Sequence, residues 1–186
     1  MQDSAIIGLY FQRNETAISE SQTKYGGYCY QIARNILTVH EDSEECVSDT
    51  WMQAWNAMPP QKPKYLRLFF AKLTRNLAFN RYRQNHAGKR GGGVMDVVLS
   101  ELSQCIPAEG DAATEAELHE LQQSITKFLA GLTERDRKIF LRRYFYTEPI
   151  EQIAKSCHLT ANNVSVILSR IRAGLKTQLI KEGYSV

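Results

Sequence analysis

A chain of 186 residues with 43% apolar and 23% charged side chains has the make-up of one or two globular domains, which excludes wholesale disorder. It holds no apolar run of the ~18 residues that a membrane span requires, and its opening Met1-Gln2-Asp3-Ser4 lacks the basic-then-apolar order of a secretory signal, so a cytoplasmic protein without membrane insertion is expected. The net charge of +3 excludes little by itself, because it is the residue of four alternating blocks along the chain.

Residues 1–58 hold 3 basic and 8 acidic side chains. Asn14 can cap a first helix running to about Leu37, with Ala17, Tyr25, Tyr28, Ile32, Ala33 and Ile36 near one stripe. Gly26 and Gly27 weaken it locally. Asp42-Ser43-Glu44-Glu45 supplies a second start signal, an acid three residues after a capping side chain. The helix it opens runs through Val47, Trp51, Ala54, Trp55 and Met58, and Pro59, Pro60 and Pro63 end it.

Residues 59–93 hold 9 basic residues and no acid. A third long helix is predicted from about Lys64 to Gln84, with Leu66, Phe69 or Phe70, Leu73 and Leu77 as its core stripe. Lys72, Arg75, Asn76, Asn80, Arg81 and Arg83 are left for other faces. From Ala87 to about Ala113 the periodicity fails. Gly91-Gly92-Gly93, Pro107 and a run of acids read as a linker with one short ordered piece near 97–102. Residues 94–126 carry 7 acids and no base.

Residues 127–186 carry 11 basic and 5 acidic side chains. Thr114 with Glu117, and Thr133 with Asp136, are cap signatures for two further helices, with Gly131 placed to stop the first. A helix from about Glu148 to Cys157 follows, then a short turn at His158-Leu159. Thr160 caps a last helix through about Leu179. At about 100° per residue, Val164, Leu168, Ile171 and Leu175 of that last helix form one core stripe. The opposite face presents Asn162, Val166, Ser169 and Ala173, flanked by Asn163, Ser165, Arg170 and Arg172. A helix–turn–helix with a small, amide-bearing, basic outer face suits a DNA major groove: Asn pairs with adenine, Arg with guanine or phosphate, and Val touches a thymine methyl.

Chemistry of other kinds lacks its residues. Cys29, Cys46, Cys105 and Cys157 form no C-x-x-C pair, and with His40, His86, His119 and His158 they give no ligand spacing for a metal, so none is expected. Phosphate-loop, zinc-protease and nucleophile-elbow motifs do not occur. An enzyme using His119 or Cys157 would need an activated pair that the spacing does not offer. No cofactor is implied.

Two blocks together resemble the extracytoplasmic-function sigma factors of bacterial RNA polymerase. The first is Asp42-Ser43-Glu44-Glu45-Cys46-Val47-Ser48-Asp49-Thr50-Trp51-Met52-Gln53-Ala54-Trp55 followed by Phe69 to Arg83. The second is Leu132 to Leu175, with Leu132-Thr133-Glu134-Arg135, Phe140 to Phe145, Ile150-Glu151-Gln152-Ile153-Ala154 and Val164 to Arg170. The resemblance implies an all-α chain of two small helical domains. Residues 1–88 would bind core polymerase and recognise and melt the −10 element, 89–113 would be an acidic flexible linker, and 114–186 would read the −35 element.

The site residues it implies are Asp42, Glu45, Ser48, Asp49 and Trp55 for polymerase. For the −10 element they are Lys72, Arg75, Asn76, Asn80, Arg81, Arg83, Lys89 and Arg90. For the −35 element they are Arg142, Thr160, Asn162, Asn163, Ser165, Val166, Ser169, Arg170 and Arg172. The partners it implies are core RNA polymerase, through its clamp coiled coil and flap, promoter DNA, and an anti-sigma factor. Ser48 stands where the family favours Gln, Asn80 where it favours Asp, Phe69 where it favours Trp, and His158 where a turn glycine is usual. Ser165 and Ile167 stand at positions where many relatives carry basic residues. A dimeric helix–turn–helix regulator would lack the −10-like block, and a pure protein adaptor would not account for the acid-free stretch at 59–93.

Overall fold

A computed structural model describes residues 1–86, 94–107 and 114–186. The described residues form nine α-helices and no strand. They belong to two compact units, Met1–Gly91 and Gly92–Val186. The first contains α1 (Asp3–Phe11), α2 (Thr16–Leu37), α3 (His40–Ala57) and α4 (Leu66–His86). The second contains α5 (Val94–Ser103), α6 (Glu115–Ala130), α7 (Glu134–Tyr144), α8 (Ile150–Cys157) and α9 (Ala161–Lys181).

In the first unit α2, α3 and α4 pack mutually around Tyr25, Cys29, Trp51, Met58, Leu66 and Phe70. Phe70 is fully buried, and its ring meets Trp51 edge-on at 5.1 Å and Tyr25 at 5.5 Å. Of the two phenylalanines left open by the sequence, Phe70 is therefore the core residue and Phe69 is half-buried beside it. The α4 stripe differs from the expected one. Leu66, Phe70, Ala71, Thr74, Ala78 and Tyr82 are buried, while Leu73 and Leu77 lie at the flank. Small residues let α4 approach its neighbours closely, and Thr74 Oγ1 shares a hydrogen bond of 3.0 Å with Thr50 Oγ1 of α3. Hydropathy alone cannot rank Ala and Thr above Leu as contact residues.

Two further departures concern helix starts. Helix α1 was not expected, because its residues DSAIIGLYF are apolar on most sides and carry no amphipathic period. Ile6, Ile7 and Tyr10 nevertheless bury it against α2, where Tyr10 Oη bonds Ser21 Oγ at 3.0 Å. Helix α3 starts at His40, not at a cap made by Asp42, which leaves the Asp42 carboxylate in the first turn to face α4. By contrast Asn14 accepts from the Thr16 N–H at 3.0 Å, just ahead of α2.

In the second unit α7, α8 and α9 surround Ile139, Phe140, Ile153, Val164, Leu168, Ile171 and Leu175. The four core positions read from the last helix are all buried. Thr114 and Glu117 form a reciprocal capping box on α6. Thr133 caps α7 and Thr160 caps α9, each accepting a backbone N–H at 3.2 Å. His158 closes α8 at φ 54°, ψ 42°, the left-handed conformation that the family's usual glycine adopts without a Cβ penalty.

The short ordered piece expected near 97–102 within the linker is a longer helix, and it is packed. Residues Val94–Ser103 are α-helical, with Val98 and Cys105 buried in the core of the second unit and Leu102 and Ile106 packed against that core. Acid-rich composition signalled solvent, but six of the ten residues of this short helix are apolar, and it finds a surface on α7. Gly91-Gly92-Gly93 and the stretch 108–113 lie outside the described residues.

Candidate nucleic-acid interface

The first candidate surface is the exposed face of α4. Residues three and four apart on a helix share a face, and Arg75, Asn76, Phe79, Asn80 and Arg83 accordingly line one concavity. The Arg75 guanidinium lies 4.3 Å from the Phe79 ring centroid, a cation–π contact. Burial pushes the Arg75 pKa down, although the group stays charged at neutral pH. Arg83 donates to Asn80 Oδ1 at 3.3 Å. Two amides, an aromatic edge and two guanidinium groups in one hollow can hold phosphates and unstacked bases. Lys72 is exposed on the same helix, which contains no acid. Lys89 and Arg90 lie outside the described residues.

Arg81 differs from its neighbours. Its Nη1 donates to Glu45 Oε2 at 2.8 Å, and its guanidinium lies 3.9 Å from Asp42 and 3.7 Å from Asp49. Asn85 Nδ2 also reaches Asp42 at 3.0 Å. A cation assigned from the sequence to DNA and three acids assigned to polymerase therefore form one cluster across α3 and α4. The Arg81 hydrogen bond holds the Glu45 carboxyl below the usual glutamate range, and the same bond raises the Arg81 pKa.

Ser48 lines a groove between α2 and α3 with Gln22, Gly26, Tyr30, Glu44, Val47 and Trp51. Of the paired glycines only Gly26 lines this groove, where a Cβ would lie in ordinary contact with Gln22 Cγ at 3.7 Å. Trp55 turns the other way. It packs 6.2 Å from the Tyr10 ring, under the Arg13 guanidinium at 5.4 Å, and Arg13 donates to the Trp55 carbonyl at 2.7 Å. Its environment is that of an anchor for α1.

The second candidate surface is the outer face of α9. Asn162, Asn163, Ser169 and Arg170 are exposed, and Val166 is 48% exposed. Ser165 is half-buried and donates back to the Ala161 carbonyl at 3.0 Å. Thr160 serves as the cap. Ile167, at a position where relatives carry basic residues, is a core residue in this chain. The helix contains no acid, so its N-terminal half offers amides, a hydroxyl, an apolar contact and one unopposed cation to a polyanion.

The two remaining arginines of this set are held internally. Arg142 pairs with Glu148 at 2.7 Å. Arg172 donates to Tyr144 Oη at 2.6 Å and lies 3.6 Å from Glu101. Sequence reasoning missed Glu101 altogether. It lay within the short ordered piece expected near 97–102, where Val98, Leu102 and Cys105, at i, i+4 and i+7, were the only sign of a packed helix.

The buried thiols carry no signature of chemistry. Burial pushes Cys29 up to about 11 and Cys46 up to about 12, so both are protonated at neutral pH. Among the described residues no three potential metal ligands converge, and no helix is long and apolar enough to cross a membrane.

Comparison with known proteins gives the same two blocks. Residues 23–87 match Sigma-70 region 2, and residues 122–175 match Sigma-70 region 4. A protein of Xanthomonas campestris pv. campestris, described as the probable RNA polymerase sigma factor RfaY, is 22% identical over 140 residues, 75% of this chain. Those residues span 34% of RfaY, so the chain covers about a third of that relative's length. The solved structure of CnrH in complex with the cytosolic domain of CnrY is similar at 19% identity and a TM-score of 0.44, covering 97% of this chain and 99% of that one. With region 2 and region 4 following each other over well over half of an all-α chain, this protein belongs to the sigma-70 family.

Proposed function

We propose that the chain is a promoter-specificity subunit and not an enzyme: it binds core RNA polymerase and directs initiation at promoters carrying matched −10 and −35 elements. The observation that carries this reading is a pair of exposed, acid-free helix faces, one in each unit, on α4 and α9. Asp42, Glu45, Ser48 and Asp49 on α3 meet the polymerase clamp. Lys72, Arg75, Asn76, Asn80 and Arg83, with Lys89 and Arg90 beyond them, hold the −10 strand as it opens. Thr160, Asn162, Asn163, Ser165, Val166, Ser169 and Arg170 read the −35 duplex, with the C-terminal unit seated on the flap.

Residues 1–88 and the unit built by α5 to α9 are the two working domains of this scheme, with α5 packed into the core of the second. An anti-sigma protein that covers these surfaces belongs to the same reading, as does a cytoplasmic location. Bond-making chemistry stays with the polymerase.

The test is run-off transcription with purified chain, core polymerase and a promoter library. Discrete transcripts that require the chain are expected. A chain that neither associates with core polymerase nor directs any start site would overturn the reading.

A further inference from the structure

Glu101 is the junction of three helices. Its carboxylate, on α5, accepts from Arg143 Nε at 3.2 Å and Nη2 at 3.1 Å, and from Tyr144 Oη at 2.9 Å. Arg143 and Tyr144 belong to α7, and the Arg143 side chain is only 4% exposed. Tyr144 Oη in turn accepts from Arg172 Nη1 of α9, whose guanidinium lies 3.6 Å from Glu101. Lys176, one turn further along α9, donates to the Gln104 carbonyl at 3.4 Å. Burying a carboxylate costs several kcal/mol unless cations and hydrogen bonds surround it, and this one has both. Two consequences follow for α9. Its C-terminal half is fastened to the end of α5, and Arg172 is drawn away from the face that carries Asn162, Val166 and Ser169.

We propose that Glu101 is a specificity-determining residue of the DNA-reading unit: by holding Arg172 inward it withholds one sequence-blind phosphate contact from α9. The inference rests on α9 being a DNA-reading helix. Phosphate contacts raise affinity for every sequence alike, while base contacts discriminate. Removing a cation from the backbone therefore lowers background binding more than it lowers selectivity. The acid that does this comes from the connector, so the path of the chain into the second unit and the charge of its reading face are set by one side chain.

The experiment measures binding of the full-length chain to a short duplex without promoter elements, across a salt series. In Glu101→Gln the slope of log affinity against log salt should steepen by about 0.9, the value of one phosphate contact. In Glu101→Gln/Arg172→Gln it should return to the wild-type value. Glu120→Gln removes an exposed acid from the same unit and should leave the slope unchanged. Arg172→Gln alone should also leave it unchanged, which keeps the proposal open to refutation even if Glu101→Gln does not fold.

A slope that falls by about 0.9 in Arg172→Gln would put Arg172 on the DNA already and overturn the proposal. So would an unaltered slope in folded Glu101→Gln, or a steepening that survives in the double variant. A wild-type chain that binds no duplex at low salt, alone or in holoenzyme, would sink the DNA-reading assignment of α9 and this proposal with it.

Discussion

Arg81 Nη1 and Glu45 Oε2 lie 2.8 Å apart, on two helices that the sequence assigned to different partners. The pair makes the acidic face of α3 and the basic face of α4 adjoining parts of one surface. It also predicts a pH dependence. A carboxyl whose pKa is depressed in the folded state contributes stability above its unfolded pKa, and loses that contribution as pH falls through the folded value. Arg81→Gln should therefore be less stable than wild type at neutral pH. The urea midpoints of the two proteins should converge as pH drops below about 4. Midpoints that stay equally far apart down to acid pH would show that Arg81 acts through packing instead.

Asp49→Lys is expected to weaken binding to core polymerase, because it reverses a charge on the docking face. The 3.7 Å separation of Asp49 from Arg81 adds a second effect. Two cations would face each other, and the α4 surface beside them would shift, so opening of the −10 region should suffer as well. Binding of −35 duplex should not change, since α9 belongs to the other unit. Polymerase pull-down, permanganate reactivity of the promoter and duplex binding separate the three; loss of all three alike would contradict the assignment.

Arg170 is exposed and pairs with no acid among the described residues, whereas Arg142 is tied to Glu148 at 2.7 Å. Arg170→Ala should reduce the salt slope of holoenzyme binding to −35 duplex by about 0.9. Arg142→Ala should leave the slope almost unaltered and act on stability. An Arg170→Ala slope equal to wild type would move that residue off the backbone.

His158→Gly should stabilise the second unit. A non-glycine residue at φ 54° carries a left-handed penalty of about 1–2 kcal/mol, and glycine returns part of the relief as unfolded-state entropy. A net gain of about 0.5–1 kcal/mol, a rise of a few degrees in Tm, is expected. The side chain is exposed, so no packing is lost. A fall in Tm on calorimetry would refute the strain argument.

Phe70→Ala should cost about 3–5 kcal/mol, as for other large-to-small changes at a fully buried aromatic site. Phe69→Ala, at a half-buried position, should cost clearly less. Chemical denaturation of the two variants would show it, and equal losses would mean that the two rings share the core.

Local signals carried much of the fold in the sequence. The caps at Thr114, Thr133 and Thr160 are short-range hydrogen bonds between neighbours in the chain, and they form where the pattern put them. The α9 stripe was legible because Val164, Leu168, Ile171 and Leu175 are large and strictly periodic. Where contact depends on small residues the pattern misled, as with Ala71, Thr74 and Ala78 in α4. Helix α1 was invisible because an all-round apolar segment has no period to detect.

By itself, then, the sequence determined that this is an all-α chain with two acid-free basic helices and one acid-rich one, because helix period, capping and charge content are written locally. Only the tertiary structure decided which charges remain available. Arg81 is claimed by Asp42, Glu45 and Asp49, Arg142 by Glu148, and Arg172 by Tyr144 and Glu101. Most of those partners stand 28 to 71 positions away in the chain. No local pattern encodes such distances; they follow from how the helices pack, and an ion pair exists only where packing brings its two ends within reach.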